Sequence, residues 1–206
     1  METQTLRTAY RQATACFVDT VGRVAPAQWG QPALGEWSVR DLVGHASRAL
    51  ATVEAYLERG AAEVEVASTA EYFLRARATL ADPAAVAARG REAGQALGAA
   101  PAAAVQALAE RVLARLDATA DTALVGTPVG GMRLLDYLPT RVLELTVHTL
   151  DLAAALGLEL ALPPAAVAVT GAVLVELAQR SGQAPLLLQA LTGRRPLPPG
   201  FSLLGM

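Results

Sequence analysis

The chain has 206 residues and a net charge of -2; 53% of the residues are hydrophobic and only 4% aromatic. That length favours a single domain, and a core of Ala, Leu and Val suits close helix packing. Every basic side chain is Arg and none of the basic runs is dense, which argues against a nucleic-acid-binding face.

Arg75, Arg77, Arg89 and Arg91 are interleaved with Ala and Glu and read as a solvated helix face. The N-terminal run METQTLRTAYRQ carries no apolar signal core. The most apolar stretch, Leu160 to Val175, is interrupted by Pro163, Pro164 and Gly171. It falls short of the ~20 residues that span a bilayer. A cytoplasmic protein without a membrane partner, monomeric or homodimeric, is expected. Cys16 is the only cysteine, so neither an internal disulfide nor a cysteine metal cluster can form. A buried, inert thiol is expected there.

The elements follow in chain order. Leu6, Tyr10, Ala13, Phe17, Val21 and Val24 recur in steps of three and four and predict a helix over 3–24 with one buried stripe. Pro26 and Gly30 break it, and 29–37 reads as a loop. Ser38 is a good N-cap with Asp41 three residues on, a short-armed capping box. A second helix is predicted over 39–59, with Leu42, His45, Ala46, Ala49, Val53, Tyr56 and Leu57 on its inner stripe. Residues 61–100 are Ala-rich and yield one helix opening at Pro83. Pro101 opens another, over 102–121. The run GTPVGG at 126–131 reads as a loop. A long helix is predicted over 134–156, kinked or split by Pro139 and closed by Gly157. Short helices are predicted at 164–180 and 184–192, then an extended tail. Neither a strand-period run nor an internal repeat is evident.

The two histidines both fall on predicted inner faces. His148 stands four residues after Glu144, so the two side chains share one helix face, one turn apart. His45, on another helix, supplies a third donor if the helices face each other. Imidazole suits zinc, iron, nickel or copper, and a carboxylate is also acceptable to zinc. Three protein ligands leave one position open, the catalytic rather than the structural pattern. The residues alone leave a second reading open, in which both histidines are core residues without metal. Asp151, three residues past His148, could accept the hydrogen bond of its other ring nitrogen, or be solvated. Arg48, one turn after His45, could hold an acidic substrate or a thiol cofactor, or lie on the surface. Arg141 could reach across the site or pair with Glu144. Trp37 reads as a plug at the bundle end rather than a stacking platform.

The runs WSVRDLVGHASRAL (37–50) and DYLPTRVLELTVHTLDLAAALG (136–157) resemble the two motifs of the mycothiol-dependent maleylpyruvate isomerase family, within the DinB-like superfamily. That resemblance implies an all-α fold. The expected architecture is a DinB-like antiparallel four-helix bundle over residues 1–157, with a C-terminal helical extension, 158–206, packed on it. It implies His45, Glu144 and His148 as ligands of one divalent metal, zinc foremost, with mycothiol as thiol cosubstrate; Arg48, by its position one turn after His45, is the residue expected to contact that cosubstrate. The implied function is a metal-dependent isomerase or S-transferase acting on a small electrophilic substrate. The alternative is a non-catalytic metal-binding helical module for a ligand or partner.

Overall fold

The computed structural model describes residues 3–80 and 82–204. Within them lie α1 (Thr3–Gly22), β1 (Pro32–Leu34), β2 (Trp37–Ser38), α2 (Val39–Arg59), α3 (Thr69–Leu80) and α4 (Pro83–Ala96). After these come α5 (Pro101–Asp117), β3 (Leu124–Thr127), β4 (Gly130–Arg133), α6 (Leu134–Leu156), α7 (Pro164–Arg180) and α8 (Ala184–Leu191). Four of the helices form a ring: α6 and α5 each pack against both α1 and α2. Their stripes meet in one core, with Tyr10 and Phe17 from α1, Leu42 and Leu50 from α2, Val112 and Leu116 from α5, and Leu138 and Leu145 from α6. The expected all-α helical bundle is therefore the fold. None of the described helices is long and apolar enough to cross a membrane.

The predicted helix starts and stops hold where a cap specifies them. At the head of α2, Asp41 Oδ2 accepts from the Ser38 backbone N–H and hydroxyl, at 3.0 and 2.7 Å, and the Ser38 side chain caps in return. Gly157 closes α6 with φ 67, a left-handed turn that Gly makes at no steric cost. Pro139 neither splits nor ends α6, which runs unbroken through it. Two ends were overestimated. α1 stops at Gly22 rather than 24, in a tight turn where the Val24 N–H donates to the Val21 carbonyl. α5 stops at Asp117 rather than 121, and Arg7 of α1 caps this end: Nη1 donates to Leu116 O and Nη2 to Thr119 O just past the helix, both at 2.7 Å.

Both segments read as loops, 29–37 and 126–131, overlap antiparallel hairpins, β1–β2 and β3–β4, so the expectation of no strands is corrected. Strands of two to four residues are too short to show a period-2 pattern. Tertiary contacts hold them instead. Gly131 O accepts from the N–H groups of Glu65 and Val66, and Glu65 Oε2 accepts from the Gly131 N–H at 2.8 Å. This staples β4 to the α2–α3 linker. The Ala-rich stretch 61–100 contains two helices rather than one. α3 is tied to α6 by the Thr69 hydroxyl, which donates to Asp136 O at 2.7 Å. α4 lies almost in backbone contact with α2, because a Cβ on Gly44 would overlap Gly94 N. α7 packs on α6, α1 and α3, and α8 on α7.

Candidate metal centre

α6 sets one side of the site. His148 is 4% exposed, and a helical turn on either side of it places a carboxylate. Its Nδ1 lies 3.0 Å from Asp151 Oδ2 and its Nε2 lies 3.3 Å from Glu144 Oε2. Asp151 thus fixes the ring through Nδ1 and leaves Nε2 beside Glu144, the arrangement in which an outer carboxylate orients a ligating imidazole.

α2 sets the other side by different means. The His45 ring stacks on Trp37, with centroids 4.4 Å apart and planes at 34°, and meets His148 edge-on at 4.8 Å. Trp37 is itself held: its indole N–H donates to Ala87 O at 3.1 Å, and its ring lies where a Cβ on Gly90 would be. It is both a buried plug and a stacking platform. His45 Nδ1 is buried with no hydrogen-bond partner among the described residues.

These contacts pull the titrations apart. Burial and the neighbouring His148 hold His45 down at about 4. Burial also works against charge on His148, but its bonds with Asp151 and Glu144 outweigh it and raise His148 to about 9. Burial alone would raise the Glu144 carboxyl; the His148 bond and the Arg141 charge prevail and bring it to about 2. One neutral imidazole, one imidazolium and one carboxylate therefore share the site. One donor atom from each of the three lies within 4.8 Å of the others.

All three line a cavity of about 710 Å³, together with Arg48, Arg141, Trp37, Tyr56, Tyr72 and Phe73. The sequence contains two Trp, four Tyr and three Phe, and four of those rings gather here. Arg141 does not pair with Glu144. Its guanidinium sits over the rings of Tyr137 and Tyr72, at 4.9 and 5.6 Å. Asp41 belongs to the α2 cap. Cys16 lies on α1 outside this cavity, its thiol pushed up by burial and by Asp19.

A family profile, the mycothiol maleylpyruvate isomerase N-terminal domain, matches residues 10–153. The chain belongs to that family. No curated protein and no solved structure matches the chain. The mycothiol maleylpyruvate isomerase match spans α1 to α6 almost entirely, so it contains every residue of the donor cluster. Sequence reading missed the cavity wall contributed by α3 and α4, chiefly Tyr72, Phe73 and Val86. The adjacent pair Tyr72–Phe73, in a chain so poor in aromatics, was the one available signal.

Proposed function

We propose that this protein binds one divalent ion, zinc by its donor chemistry, through His45, Glu144 and His148, and uses it to react a low-molecular-weight thiol with a small electrophile. The observation that carries this is the convergence of the three donors from two helices on one cavity. The fit is chemical as well as spatial. Two imidazoles and a carboxylate are zinc-type ligands, and the unpartnered, buried His45 Nδ1 is a polar atom that folding alone leaves unsatisfied. Among the described residues no fourth side chain joins the cluster, which leaves a position for the thiol.

A zinc ion bound there would deprotonate a coordinated thiol at neutral pH. Family membership makes mycothiol the thiol of choice. The chain's own residues do the rest. Asp151 keeps the His148 ring in one orientation and one tautomer. Trp37 holds the His45 ring against rotation. Arg48, half-buried at the cavity wall one turn beyond His45, contacts the thiol cosubstrate. Tyr56, Tyr72 and Phe73 wall the electrophile away from water. Addition of the thiol to an electron-poor alkene, bond rotation and release give isomerisation; retention of the thiol gives transfer.

The test is turnover. Zinc-loaded protein is incubated with mycothiol and a panel of electrophilic alkenes, epoxides and quinones, and thiol consumption and cis–trans conversion are followed. Activity that requires both zinc and mycothiol, and disappears in His148→Ala, is expected. Zinc-loaded protein inert toward the whole panel would leave a metal-binding module rather than an enzyme.

A further inference from the structure

Arg141 is 8% exposed, and a buried cation ordinarily has an anionic partner. Arg141 has none. Among the described residues no carboxylate stands within ion-pair distance of its guanidinium. Its one hydrogen bond there is from Nε to the Thr140 hydroxyl, at 2.8 Å. Neither Nη group has a hydrogen-bond partner among the described residues, and Arg141 lines the cavity of the donor cluster. The carboxylate nearest along the helix, Glu144, is engaged by His148 Nε2 at 3.3 Å. The rings of Tyr137 and Tyr72 support the cation from their faces. They hold the guanidinium plane in place and leave its outer edge for a ligand. Tyr137 is itself fixed, its hydroxyl donating to Thr52 Oγ1 at 2.8 Å.

We propose that Arg141 is the anion receptor of this cavity and that the molecule it receives is a small monocarboxylate with an apolar or aromatic body. A guanidinium grips a carboxylate through two parallel N–H bonds, which matches the two unused Nη groups. The wall around it supplies the body's surroundings: Trp37, Tyr72, Phe73 and Val86. The other cavity arginines serve less well as anchors, since Arg77 is exposed and Arg48 and Arg89 are only half-buried. With α6 rising ~1.5 Å per residue, a carboxylate on Arg141 lies about one turn from Glu144. The carbons next to that carboxylate then stand beside the donor cluster. This names the substrate class of the site and rests, for the word substrate, on the reading above.

The probes are cinnamate and its uncharged counterpart cinnamamide, titrated calorimetrically at pH 7 into chelator-treated and zinc-loaded protein. Cinnamate is expected to bind both forms, with cinnamamide at least about 10-fold weaker. Arg141→Gln should weaken cinnamate roughly 10–100-fold and leave cinnamamide unchanged. Arg141→Lys should retain part of the affinity, and Arg77→Gln should change it less than about threefold. Equal affinity of wild type for the two probes overturns the proposal, even if Arg141→Gln fails to fold. So does cinnamate binding that survives Arg141→Gln in a protein of unchanged helicity. The two readings fail separately. If zinc does not bind while cinnamate still depends on Arg141, the metal-and-thiol function falls and the anion site stands. If zinc- and thiol-dependent turnover occurs without discrimination between the probes, the reverse holds.

Discussion

His45 and His148 meet edge to face in one site, yet their surroundings are opposite. His148 is clasped between two carboxylates of its own helix, one on each ring nitrogen. His45 has an indole on its face and, among the described residues, no partner for its buried Nδ1. The first environment favours the imidazolium and the second the neutral ring. A metal must displace a proton from one side and nothing from the other. Polar contacts hold the α6 half in place before any ion arrives, and packing holds the α2 half.

The largest expected effect is on metal affinity as pH changes. Metal-free His148 holds its proton up to about 9, His45 loses its own above about 4, and Glu144 is ionised above about 2. Zinc binding should then release one proton between pH 8 and 5. Its affinity should fall about 10-fold per pH unit, or about a thousandfold across that range. Calorimetric titration in two buffers of different ionisation heat counts the protons. Two protons released at pH 6 would show that His45 is not held neutral, and the contrast would be broken.

Stability of the metal-free protein sharpens the same comparison. His148→Ala removes the partner of Glu144 and should cost about 3 kcal/mol near pH 6.5. His45→Ala loses only ring packing and should cost about 1 kcal/mol. Urea denaturation of the chelated proteins checks the order. The pH trend has a definite sign. The raised His148 contributes fully below its unfolded value near 6.5, and that contribution is lost as pH rises through about 9. The depressed His45 contributes above about 6.5, and its contribution is lost as pH falls through about 4. These two groups together place the optimum near pH 6.5.

The smallest effects come from the residues that aim the rings. Asp151→Asn should weaken zinc roughly 10–100-fold with helicity unchanged. Trp37→Leu leaves every donor in place and should weaken zinc less than about 10-fold. A Trp37 effect exceeding that of Asp151 would mean that the stack, not the carboxylate clasp, is the stricter constraint.

The legibility of this molecule follows the same division. The α6 half could be read from the sequence because Glu144, His148 and Asp151 lie within two helical turns, where spacing alone fixes which side chains share a face. The head of α2 was legible because Ser38 and Asp41 form a local cap. Arg141 was visible as a residue but not as an unpaired cation, since that depends on Tyr72 arriving from α3. The stack on His45 was hidden for a similar reason: it needs the β1–β2 hairpin to deliver Trp37 and Gly90 of α4 to admit the indole. Alanine-rich α3 and α4 carry weak periodicity, and their placement comes from the Gly44–Gly94 approach and the Thr69 tie to α6. Both are long-range contacts without a local signature.

The central claim is that His45, Glu144 and His148 together hold one divalent ion. The most direct measurement is zinc stoichiometry, by titration of chelator-treated protein at pH 7.5 and elemental analysis after desalting, on wild type, His45→Ala and His148→Ala. One equivalent in wild type and none retained by either variant is the expected result. No zinc retained by wild type, or an equivalent still retained when either histidine is gone, would contradict it.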